Sequence, residues 1–123
     1  MDEPYLDLIE KAMDISPDIR FATICDMEGE IICSKHRPGT KNLLSFAESL
    51  RSLESAVRSW KVRNEFSSKI GKGEYVFAEY GKIKRIAIPL DDKNLLYLTT
   101  TKKADHTEII NQATKLQLNE TEI

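Results

Sequence analysis

Cys25, Cys33 and His36 are the residues best equipped for chemistry in this chain, because thiolates and imidazoles bind metals and act as nucleophiles or bases. Their placement argues against both uses. If Asp26-Met27-Glu28-Gly29 is a turn between two strands, Cys25 stands opposite Ile31 and Cys33 opposite Thr23. The cysteines are then diagonal neighbours with Cβ atoms about 7 Å apart. A disulfide needs about 4 Å. The spacing Cys-x7-Cys-x2-His fits no common zinc pattern, and no fourth ligand lies nearby. Two small apolar residues on a strand are expected, with no metal and no cofactor. His106 sits beside Asp105 and reads as an exposed residue at a helix start. No Ser/His/Asp or Cys/His set has supporting context, and there is no P-loop or Gly-x-Gly-x-x-Gly. The expectation is a protein that is not an enzyme.

Composition narrows the classes further. The chain has 123 residues, 31% of them charged, and a net charge of -2. That length supports one domain and one core, here set at 1–118 with a frayed tail at 119–123. A slight acidic excess speaks against general nucleic-acid binding. No apolar run approaches the ~18 residues of a membrane span. The acidic, amphipathic start MDEPYLDLIEKAMD lacks the basic and apolar regions of a signal peptide, so the cytoplasm is the expected location.

Several elements must position these residues. Asp2 and Pro4 open a first helix with an apolar stripe of Leu6, Ile9 and Met13 beside Leu8 and Ala12, and Ser16-Pro17 closes it. IRFATICDMEGEIICSKH reads as a hairpin. Ser45 and Glu48 form a capping box for a long helix that Gly71 and Gly73 close. Strands follow at 74–80, 83–90 and 95–101, joined by short turns that make antiparallel neighbours. Asp105 and Glu108 cap a last helix with Ile109, Ala113 and Leu116 on its stripe. The order is αββαβββα, an α+β protein whose strand groups merge into one five-stranded antiparallel sheet.

That order resembles the roadblock/LC7 fold, a relative of profilin-like and longin-like domains. The resemblance implies strand order 2-1-5-4-3, with the first and last helices on one face and the middle helix on the other. It also implies a homodimer through the middle helix and third strand, and adaptor roles for motors or platforms for small GTPases. The runs Arg20-Phe21-Ala22, Arg37-Pro38-Gly39, Leu43-Leu44, Trp60 with Arg63, and Glu79 to Arg85 resemble an uncharacterised family from ammonia-oxidising archaea. That likeness implies an archaeal cytoplasm and adds no chemistry.

The long helix carries two apolar stripes. Phe46, Leu50, Leu53, Val57 and Trp60 are spaced 4, 3, 4, 3 and share one face. Val62, Phe66 and Ile70 point about 180° away at ~100° per residue. Either the helix bends near Arg63-Asn64 and both stripes meet the sheet, or the second stripe meets another chain. The strand EYVFAEY is aromatic and free of proline, an edge in need of cover. A dimer or partner interface is therefore expected at Val62, Phe66, Ile70, Tyr75 and Phe77.

With the strand order that the resemblance implies, the charges sort by strand end. One rim collects Arg20, Lys35, His36, Arg37, Lys82, Lys84, Lys102 and Lys103, an anion or acidic-partner site in the functional reading. The other collects Asp26, Glu28, Glu30, Asp91 and Asp92. Arg85 shares a strand face with Ile83 and Ala87 in an internal strand, so it must reach solvent or a carboxylate, with Glu79 the candidate. Two functions remain. One is a dimeric scaffold for a small GTPase or other protein. The alternative is a small-ligand or anion sensor using the basic rim or the space under the middle helix.

Overall fold

The computed structural model describes residues 3–116. The Asp2 cap and the 119–123 tail lie outside the described residues. Helix α1 spans Glu3–Asp14 and buries Leu8, Ile9, Ala12 and Met13. Leu6, assigned to the buried stripe by spacing, is instead exposed. Strands β1 (Ile19–Asp26) and β2 (Ile31–His36) form the hairpin. In its turn the Asp26 carboxylate accepts from the backbone N–H groups of Glu28 and Glu30, and Gly29 takes a φ of 84° that disfavours a side chain.

Helix α2 spans Phe46–Asn64 and begins with the full capping box: Ser45 Oγ accepts from Glu48 N–H at 3.1 Å, and Glu48 Oε1 from Ser45 N–H at 2.9 Å. It ends at Asn64, and a single turn, α3 (Ser67–Ile70), follows. Gly71, at φ 94°, closes that turn. Strand β3 (Val76–Glu79) is shorter than the expected 74–80. Strands β4 (Ile83–Pro89) and β5 (Asn94–Thr101) lead to α4 (His106–Ala113), capped by Asp105.

The five strands form one antiparallel sheet in the order β2-β1-β5-β4-β3, as expected. Strand alternation sends residues to two unequal cores. Under α1 and α4 lies the larger one, built on Ile24, Ile86, Ile88, Leu96, Leu98 and Ile109. Under α2 lies a smaller buried cluster of Cys25, Leu53, Val57, Trp60 and Leu95. The long stripe thus covers the sheet through its last three members. Phe46, expected in the core, is 76% exposed, because the start of α2 stands off the sheet.

A β-bulge corrects the cysteine register. Cys25 pairs with Ile31 as expected, but Cys33 pairs with Ile24 rather than Thr23. The extra residue flips Cys33 to the other face. Cys25 packs under α2, whereas Cys33 packs against the α1 core and its Sγ donates to Tyr5 O at 3.8 Å. The two thiols cannot meet.

Candidate functional site

Three surfaces compete as the site. The first is the outer side of α2 and the β3 edge. Val62 is 49% exposed, Phe66 54% and Ile70 80%. The helix does break, at Glu65 and Phe66, yet the break buries none of the three. The helix stops near the expected place, but the break does not turn the second stripe onto the sheet, and that stripe faces outward. Ser55 and Ser59 precede Val62 at spacings of 4 and 3, so small side chains continue this face toward the helix start. Strand β3 pairs only with β4 and leaves its other edge open among the described residues. Tyr75 is exposed beside it. Phe77 differs: its ring stacks on His106 at 4.2 Å between centroids and packs against the α1–α4 core, so it serves the protomer itself.

The second surface is the basic rim, and most of its cations are already engaged. The Arg37 guanidinium donates to the carbonyls of Met13 (2.9 Å), Ser16 (2.8 Å) and Ile19 (3.1 Å), closing the end of α1. There it satisfies carbonyls that a helix terminus leaves unpaired and complements the helix dipole. Arg20 donates to Lys41 O, Lys35 pairs with Glu10, and Lys103 pairs with Asp18 at 3.7 Å. Lys102 meets Glu79 at 2.6 Å and holds its carboxyl below the usual range. Lys84 is buried, donating to Ala104 O at 2.7 Å and sharing a hydrogen bond with His106 Nδ1 at 2.9 Å. His36 lies 6.0 Å from the Phe21 ring. Lys82 is exposed with no ion-pair partner among the described residues. The eight residues share a rim, but they do not converge on one point. The acidic rim is likewise structural in part: Asp26 and Asp91 accept backbone N–H groups in their own turns.

The third surface was only half legible. A groove of about 310 Å³ runs between α2 and strands β3 and β4. Arg85 is its charged centre. Glu79, its expected partner, is on the opposite face of the sheet and pairs with Lys102. Alternation along β3 and β4 dictates this, since Glu79 stands opposite Lys84 and not Arg85. The Arg85 guanidinium instead donates from Nη1 to Ser52 Oγ at 2.6 Å. Its carbon lies 5.2 Å from the Tyr80 ring centre and 5.9 Å from that of Tyr97. Burial pushes the Tyr97 hydroxyl up, partly offset by Arg85, so it stays a neutral donor. Arg85 Nε and Trp60 Nε1 are buried without a hydrogen-bond partner among the described residues. No spacing rule points to this group, because Ser52, Tyr80, Arg85 and Tyr97 come from a helix, a turn and two strands. Only Arg85 itself, a cation on an internal strand, signals it.

Among the described residues no cluster of three or more His, Cys, Asp or Glu is placed to hold a metal, and no helix is long and apolar enough to cross a membrane. No protein-family model matches the chain, and no curated protein matches it. Solved structures do. The gliding protein MglB from Thermus thermophilus superposes with a TM-score of 0.75 over 94% of this chain and 88% of its own, at 11% identity. A Roadblock/LC7 domain from Streptomyces avermitilis gives 0.68 over 94% and 93%, at 12% identity. Myxococcus xanthus MglB gives 0.68 over 92% of each chain, at 12% identity. An MglB structure is described in a tetrameric arrangement. At such identities the likeness is one of fold, and with its sheet order and helix placement this chain has the Roadblock/LC7 fold.

Proposed function

We propose that this protein is a non-enzymatic interaction module that works as a homodimer, a regulatory platform for a small GTPase or another protein in an archaeal cytoplasm. One observation carries the reading: Val62, Phe66 and Ile70 stay exposed beside an open, aromatic edge strand. Apolar side chains grouped this way mark interaction sites, and an uncovered edge pairs readily with another strand. A second copy placed edge to edge along β3 would satisfy both needs with one two-fold contact. Ser55 and Ser59 would allow its α2 to approach closely.

The expected result is a dimer mass in light scattering at micromolar protein. Phe66→Asp is expected to shift it to the monomer while leaving the circular dichroism spectrum intact, since Phe66 is half-exposed in the protomer. A wild-type mass equal to one chain at every concentration sinks the reading. The alternative, a small-ligand or anion sensor, is favoured by Arg85, which lies in the groove without a carboxylate among the described residues.

A further inference from the structure

We propose that the groove between α2 and strands β3 and β4 binds a small monocarboxylic acid with an aromatic or branched apolar body, its carboxylate seated on Arg85. This rests on the sensor reading.

The charge is the first reason. Arg85 is half-buried, and among the described residues the groove contains a second guanidinium, Arg63, but no Asp or Glu. The adjoining space under the start of α2 also borders Arg85 and carries Arg20 and His36, again with no acid. Glu48 approaches from the outer opening, but its carboxylate is held by the Ser45 N–H of the capping box. A guanidinium in this position loses hydration and gains in return only neutral partners, the Ser52 and Tyr97 hydroxyls and two ring faces. Arginine has five N–H donors in a planar fork, and its contacts with the Ser52 and Tyr97 hydroxyls leave part of that fork uncommitted. The neighbourhood is donor-rich in other ways: Arg85 Nε and Trp60 Nε1 have no acceptor, and Tyr97 keeps its proton. An anion is the group that this set lacks.

Shape selects the kind of anion. Trp60, Val76 and Ala87 give the groove an apolar wall, and the Tyr80 and Tyr97 rings flank the guanidinium. A volume of about 310 Å³ accepts a small molecule and falls at the low end of ordinary ligand sites. A planar carboxylate matches the guanidinium fork and carries one charge against one. A phosphate dianion would need a second cation at the same depth, and Arg63 is exposed.

Full-length protein titrated with phenylacetate, its neutral amide phenylacetamide and inorganic phosphate gives the test. Calorimetry is the main readout, and fluorescence of Trp60, the single tryptophan, is a local one. Phenylacetate is expected to bind with one site per chain and perturb Trp60, and the amide to bind at least about tenfold more weakly. Arg85→Gln should remove that preference for acid over amide. Ala56→Leu, which narrows the groove and leaves the guanidinium in place, should block both probes. Equal affinity for acid and amide overturns the proposal, and so does unchanged phenylacetate affinity in Arg85→Gln. If Arg85→Gln does not fold, Ala56→Leu decides: retained phenylacetate binding overturns the site, and its loss in a folded variant supports it. Phosphate or phenylacetate binding that disappears in Lys82→Ala but survives in Arg85→Gln places the anion on the rim. In that case the sensor reading stands and the groove site falls. No binding of any anion removes both.

Discussion

Arg37 and Cys33 show what single residues conceal. By sequence Arg37 is one more cation at a strand end, yet its guanidinium is consumed by three carbonyls around the end of α1. Those partners are 18 to 24 residues away in the chain, so no local pattern exposes them. Cys33 moved to the opposite face because of one bulged residue, and a register read from ideal alternation cannot anticipate an insertion. Arg85 was legible as a problem, a charge on an inner strand, although its partners were not. Cys25 offers a prediction at this scale. Burial, and then the neighbouring Asp26 charge, raises its thiol from 9.0 to about 11. The folded state therefore favours the protonated thiol. Its contribution to stability is complete below pH 9.0 and is lost as pH rises toward about 11. Native protein at pH 8 should leave Cys25 unreacted with a disulfide reagent, and mass mapping of the labelled site checks this. Rapid modification of Cys25 without unfolding would contradict the burial.

At the scale of elements, periodicity served well and termini served poorly. Capping boxes, turns and stripes located the helices and strands because these signals are local. The exposed start of α2 is not readable from periodicity, since the spacing of Phe46 and Leu50 says which face they share and not whether the sheet extends beneath that face. Neither glycine expected to close the long helix does so: α2 ends at Asn64, Gly71 closes only α3, and Gly73 lies where a side chain would strike Trp60. A Cβ at Gly73 would come within 3.1 Å of Trp60 Cη2. Trp60 is buried and has little freedom to retreat. Gly73→Ala is therefore expected to destabilise the protein by about 1 kcal/mol, readable in urea denaturation. Gly81→Ala, with nothing within 4 Å of its Cβ position, serves as the control. Equal stability of the two variants would show that the Trp60 contact is slack.

The whole molecule is lopsided. One face of the sheet is sealed by α1 and α4 over a continuous core, and the other carries α2 on a few side chains with open space to either side. Element order in the sequence anticipated the sheet and the two layers. It could not anticipate their unequal thickness, which depends on how far α2 stands from the strands. Regions with fewer buried contacts open at lower free energy. Amide hydrogen exchange of the Phe66→Asp variant, expected to be monomeric, should therefore release α2 before β1, β4 and β5. Protection of α2 equal to that of the central strands would indicate that something further covers it, as a dimer would.

The sealed face with its α1–α4 core maintains the shape of the chain, while the α2 face is the one that the proposed dimer would use. Changes along Ser55, Ser59, Val62 and Phe66 touch little of that core, so descent with modification can alter recognition while leaving the scaffold alone. A chain built this way can vary freely on one face and still superpose on proteins with which it shares little sequence.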